Sequence, residues 1–132
     1  MMAVEPLPIL VADQEDVSRN RLIEVLAGRG FEPLPVRTGS EAVEVARNRI
    51  VAITILDVLL PDLSGIETFR LIASVHGGVQ GIFLARERSK DTLVRLLDAG
   101  AYTVLQKPPH ADVLLDAVRA LVSRIAARDR WF

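Results

Sequence analysis

Two aspartates stand where packing does not explain them. Asp13 directly follows the apolar run Pro8-Ile9-Leu10-Val11-Ala12, and Asp57 directly follows Ala52-Ile53-Thr54-Ile55-Leu56. Aspartate is rarely buried among apolar side chains without a partner. Two carboxylates brought together repel, so a cation must share their site or one of them must take up a proton. Lys107 follows a third such run, Tyr102 to Leu105, and could supply the charge; it and Lys90 are the only lysines beside fourteen arginines. A lysine in a chain that otherwise uses arginine suggests that a compact point charge is required there. A magnesium ion held by carboxylate oxygens would supply more charge. Taken singly, Asp13 is an acid at a helix start, Asp57 a loop residue and Lys107 a surface side chain. Taken jointly at three strand ends, they form a candidate site.

The elements that must position them alternate in period. Strand-length apolar runs at Pro8–Ala12, Glu32–Val36, Ala52–Leu56, Gly81–Ala85 and Tyr102–Leu105 are each followed by a segment with apolar residues at three-to-four spacing. The helical faces are Val17, Leu22, Val25 and Leu26; Ala42, Val43, Ala46 and Ile50; Ile66, Phe69, Leu71, Ile72 and Val75; Leu93, Val94, Leu96 and Leu97; and Val113 through Ile125. Gly28 and Gly30 are expected to stop the first helix, Gly100 the fourth, and Ser89 to cap the start of the fourth. Pro33 and Pro35 suit the second strand to a sheet edge, since proline cannot donate to a ladder. Five strands alternating with five helices imply an α/β fold, a doubly wound parallel sheet covered on both faces. Ligands of such folds bind at the carboxyl ends of the strands. Asp13-Gln14-Glu15, Asp57, Ala85-Arg86 and Gln106-Lys107-Pro108 stand at those ends.

Composition narrows the function classes. At 132 residues, one domain can bury roughly 65–70% of its unfolded surface and needs no covalent staples. The absence of cysteine excludes disulfides and thiol-ligated metal sites. A formal net charge of −1 lacks the cationic field of a nucleic-acid binder, so no direct nucleic-acid partner is expected. The N-terminal residues do not read as a signal peptide. The apolar stretch from Ile50 to Leu60 is broken by Asp57 and falls short of the ~20 residues that span a bilayer, so no membrane association and a cytoplasmic location are expected. Gly28-x-Gly30 and Gly77-Gly78 read as helix stops rather than phosphate loops. His76 and His110 have no partner at metal-ligand spacing, and Trp131-Phe132 reads as a frayed end or a linker.

Ile9-Leu10-Val11-Ala12-Asp13, the stretch from Ile55 to Gly65 with its Asp-x-x-Leu-Pro-x-x-x-Gly pattern, Asp98-Ala99-Gly100-Ala101 and Lys107-Pro108 together resemble the receiver domain of two-component response regulators. The resemblance covers residues 8–127, in order. It implies a flavodoxin-like fold of strand order 2-1-3-4-5, with residues 1–7 as an N-terminal tail, 8–128 as the receiver domain and 129–132 as a C-terminal tail or the start of a linker. It implies that Asp57 accepts a phosphoryl group from a sensor histidine kinase, a phosphotransfer protein or a small phosphodonor. The domain would then be at most self-phosphorylating rather than an enzyme in the ordinary sense. Lys107 would pair with the phosphoryl oxygens, and the Lys107-Pro108 bond would be cis. Magnesium would be held by Asp13, Asp57 and the backbone carbonyl of Leu59, with Gln14 at a weakened metal position. A downstream output protein or domain would be the partner, and a homodimer would form through the fourth helix, fifth strand and fifth helix.

Four departures from the family pattern accompany the match. Gln14 stands where the family has a second acid, so weak magnesium affinity is expected, and Glu15, one residue on, is expected to point elsewhere. Ala85 stands where the family has a hydroxyl that bonds the phosphoryl group, and Val104 where it has an aromatic switch residue. Weak coupling of output to phosphorylation follows. Arg86 replaces a small residue; it is expected to point into solvent, the alternative being a guanidinium that reaches Asp57 or Asp13. A pseudo-receiver that signals by association without phosphorylation is the rival reading. A flavodoxin-like cofactor domain ranks below both, because Asp13-Gln14-Glu15-Asp16 is acidic where a phosphate loop would stand.

Overall fold

A computed structural model of the chain describes residues 6–129. Ten elements alternate strictly: β1 (Pro8–Ala12), α1 (Asp16–Ala27), β2 (Glu32–Val36), α2 (Gly39–Asn48), β3 (Ile53–Asp57), α3 (Gly65–Val75), β4 (Gln80–Ala85), α4 (Lys90–Asp98), β5 (Thr103–Gln106) and α5 (Ala111–Asp129). The strands form one parallel sheet in the order β2-β1-β3-β4-β5. The proline-bearing β2 lies on its edge, as its missing donors require. Trp131-Phe132 and most of the expected N-terminal tail lie outside the described residues.

The period-2 alternation of side chains divides the core by sheet face. Leu10, Ala12, Leu56, Phe83, Ala85 and Val104 point to the face covered by α2, α3 and α4, where they meet Ala42, Ala46, Phe69, Ile72 and Leu96. Ile9, Val11, Ile53, Ile55, Ile82 and Leu84 point to the other, against Leu22 and Leu26 of α1 and Leu114, Val118 and Leu121 of α5. Phe83 packs edge-on to Phe69 with ring centroids 5.7 Å apart. Strands apolar on both faces are what a doubly covered parallel sheet demands.

Helix ends follow local chemistry. Ser64, Ser89 and Thr38 accept the amides of Glu67, Thr92 and Glu41, capping α3, α4 and α2. The left-handed stop after α1 falls on Gly30, with φ +85°, while Gly28 keeps helical geometry. Gly100 (φ +103°) stops α4, and the Ala101 amide then bonds back to the Leu96 carbonyl. The fifth strand lies one residue later than its apolar run suggests. Tyr102 stays outside it, under the Arg124 guanidinium at 5.6 Å, and Gln106 joins through pairing with Ala85. His76 donates through Nε2 to the carbonyls of Ala46 (2.6 Å) and Arg49 (3.0 Å), tying the end of α3 to the end of α2. His110 accepts the Leu114 amide and opens α5.

Candidate functional site

Backbone bonds fix the carboxyl ends of the strands before any side chain acts. The amide of Asp13 donates to Val36, that of Val58 to Leu84, and that of Lys107 to Ala85, at 2.9–3.1 Å. The loop after β3 returns so that the Gly65 amide reaches the Val58 carbonyl at 2.9 Å. A Cβ on Gly65 would come within 2.5 Å of the Asp57 carbonyl oxygen, so only glycine permits that approach. Asp62, in the same loop, accepts the amides of Gly39 (2.9 Å) and Ser40 (3.1 Å) and the Ser40 hydroxyl, which locks the loop to the start of α2. These bonds, the Ser40 hydroxyl first, hold its carboxyl well below the usual range, at about 2.

Asp13, Asp57 and Lys107 converge as expected. Their exposures are 0%, 6% and 4%, so the charges are set by one another rather than by water. The Lys107 Nζ donates to Asp57 Oδ2 at 2.6 Å, to Asp13 Oδ1 at 2.9 Å and to Glu15 Oε1 at 2.5 Å. Asp57 Oδ1 accepts the Leu59 amide at 3.0 Å, and Asp13 Oδ2 accepts the Ser18 hydroxyl at 2.5 Å. Burial pushes the Asp57 carboxyl above its ordinary value, with Lys107 and the Leu59 amide pulling it partly back. Burial depresses Lys107, but its three carboxylate bonds outweigh that and raise it, so it stays an ammonium at neutral pH. The Lys107-Pro108 bond is cis.

Two expectations are corrected. Glu15 does not point elsewhere: as the residue before α1 it has extended geometry (φ −85°, ψ 119°), and its amide bonds Asp13 Oδ1 at 2.9 Å. That turn swings its side chain back over the strand end to Lys107. Arg86 neither stands free in solvent nor reaches Asp57 or Asp13. Its Nη2 donates to both oxygens of Glu15, at 2.7 and 2.6 Å. Arg86 first and Lys107 second hold the Glu15 carboxyl at about 2. Sequence reasoning also missed Ser18; its spacing of five from Asp13 was the available signal.

Gln14 is exposed, and its amide donates to the Leu59 carbonyl at 3.4 Å, so two positions expected around a metal meet each other. Ala85 and Val104 are buried, and neither of these two positions carries the hydroxyl or the aromatic ring of the family pattern. Beside Asp57 opens a cavity of about 330 Å³, lined among others by Gln14, Glu15, Leu59, Arg86 and Thr92. Asp13, Glu15 and Asp57 each offer a carboxylate oxygen within 4.8 Å of the others. That hard-oxygen set fits a divalent cation such as magnesium in charge and donor type. Among the described residues no helix is long and apolar enough to cross a membrane.

Residues 9–119 match the family model for the response regulator receiver domain. The chain belongs to that family. Phosphorylation on an aspartate by a kinase is the general function of receiver domains in two-component response regulators. Response regulator MprA of Mycobacterium leprae is 35% identical over 122 residues, covering 92% of this chain and 53% of the relative. Response regulator MprA of Mycobacterium sp. strain KMS is 33% identical over 119 residues, covering 90% and 52%. The chain thus spans about half the length of the curated relatives it matches. Among solved structures, the signal receiver domain of an HD domain-containing protein from Pseudomonas fluorescens Pf-5 superposes with a TM-score of 0.89 at 20% identity, covering 100% of this chain and 98% of that one. A CheY-like receiver domain from Methanospirillum hungatei gives 0.85 at 23%, covering 92% and 98%. This receiver domain therefore has the family's fold as well as its sequence pattern.

Proposed function

We propose that Asp57 is the phosphoacceptor of this receiver domain, within a domain bounded by residues 8 and 128. The observation that carries the reading is the Lys107 ammonium bonded to Asp57 and Asp13, with Asp57 itself on the wall of a cavity open to a donor. Asp57 Oδ2 or Oδ1 attacks the phosphorus of a phosphohistidine or small phosphodonor; the new O–P bond forms as the donor's P–N or P–O bond breaks. Such transfer is mostly positioning and charge neutralisation. The Leu59 amide orients the nucleophile, Lys107 neutralises charge at the carboxylate, and Ser18 and Lys107 hold Asp13 in place. Magnesium, bound weakly by Asp13, Asp57 and the Leu59 carbonyl beside Gln14, would supply the remaining positive charge.

In this reading the domain acts in the cytoplasm, takes its phosphoryl group from a sensor histidine kinase or phosphotransfer protein, and signals to an output protein or domain. Helix α4, strand β5 and helix α5 form the docking or homodimer face, where Val94, Leu97 and Val113 are about half exposed. Switching is atypical because Ala85 and Val104 lack the groups that usually couple the site to that face. Incubation with magnesium and acetyl phosphate tests the reading by intact mass: a single phosphoryl adduct is expected, absent in Asp57→Asn. No adduct at millimolar donor favours a phosphorylation-independent pseudo-receiver. The observation on that side is Glu15, which already sits on Lys107.

A further inference from the structure

Arg86 is the one cationic side chain on the wall of the Asp57 cavity among the described residues. Lys107 is not on that wall, and its three N–H donors are all committed, to Asp13, Glu15 and Asp57. A phosphoryl group on Asp57 would bring three strong acceptor oxygens and a charge of about −1.5 to −2. It would arrive where three carboxylates already face two cations, with no donor to spare on Lys107 and no hydroxyl on Ala85. The group that occupies both cations is the Glu15 carboxylate, 2.5 Å from the Lys107 Nζ and 2.6 Å from the Arg86 Nη2.

We infer that Glu15 is a built-in stand-in for the phosphoryl group, and that Arg86 is a phosphoryl ligand held in reserve by it until Asp57 is phosphorylated. The inference rests on the reading of Asp57 as phosphoacceptor. The exchange is favourable in both directions of the comparison. The Arg86–Glu15 pair is solvent-exposed, at 60% and 43% for the two side chains, so water screens it and it is weakly held. Both of its bonds use a single nitrogen, whereas a guanidinium offers a planar fork of five donors that matches phosphate bidentately. Arg86 follows β4 directly and lies four residues before the start of α4. Its move from Glu15 to the phosphoryl group would pull the 86–89 segment toward Asp57. Phosphorylation then reaches α4 without the hydroxyl missing at Ala85 or the aromatic missing at Val104.

Beryllofluoride, which mimics a phosphoryl group on a carboxylate, tests this by amide NMR titration of the full chain at saturating magnesium. The magnesium affinity of each variant is measured first with the metal alone. Arg86→Ala, at an exposed position, is expected to bind beryllofluoride on the order of tenfold more weakly than the wild type, with Arg86→Lys in between. Glu15→Gln is expected to bind it several-fold more tightly, because the competing anion is gone. Arg86→Ala at wild-type affinity, or Glu15→Gln binding more weakly, overturns the inference while leaving Asp57 as acceptor. Absence of binding to the wild type, with Asp57→Asn indistinguishable from it, overturns the phosphoacceptor reading and this inference with it.

Discussion

At the scale of single residues the site is one ammonium shared by three carboxylates, and its two kinds of charge should respond oppositely to removal. Lys107→Ala leaves Asp13 and Asp57 buried without their cation, and breaking a buried ion pair on one side costs about 3–5 kcal/mol. Urea unfolding should show a lowered midpoint and an unfolding free energy reduced by that amount. Asp57→Asn removes a carboxylate whose charged form burial penalises, so it should raise Tm, by a few degrees for a domain of this size. If both substitutions destabilise equally, Lys107 is not the counter-charge of a crowded acid site. Asp13 and Asp57 were legible in the sequence because each directly follows an apolar run, and Lys107 because it stands just past the end of one. Glu15 and Arg86 were not. Their meeting depends on a backbone turn fixed by the Asp13 carboxylate and spans 71 residues, which residue types alone do not encode.

At the scale of elements, the strands and helices were legible from their periods and the caps from their residue types, with errors of a residue or two at ends. Strand β5 was read one residue early because Tyr102 extends the apolar run, although its ring is held from outside by Arg124. The link between the site loop and α2 was not legible, since Asp62 caps a helix 22 and 23 residues upstream. That link carries a pH dependence. Asp62 has its carboxyl at about 2, below its ordinary 3.8, so its stabilising bonds are fully present above about pH 4 and lost as pH falls toward 2. Amide protection in the first turn of α2, taken relative to the intrinsic exchange rate at each pH, should fall across that window, and Asp62→Ala should flatten the change. A first turn whose protection is unchanged down to pH 2 would contradict the role given to Asp62.

At the scale of the whole molecule, a sheet covered on both faces leaves its carboxyl end as the place where polar groups from β1, β3, β4 and β5 can meet. The stability of that platform rests on large buried side chains such as Phe83, which is 0% exposed and packs on Phe69. Phe83→Ala should cost roughly 3–5 kcal/mol in denaturant unfolding. A cost below about 1 kcal/mol would mean that the face under α3 is not a packed core. The near-neutral total charge conceals a concentrated arrangement, in which Asp13, Glu15 and Asp57 face Lys107 and Arg86 at one end of the fold.

Of those acids, Asp57 alone is expected to carry the phosphoryl group. Treatment with acetyl phosphate and magnesium, then borohydride reduction of the acyl phosphate and peptide mass mapping, identifies the modified side chain. Conversion of Asp57 alone to homoserine, with Asp13, Glu15 and Asp62 intact, is the expected result. Conversion of a different acid, or of none, would contradict it.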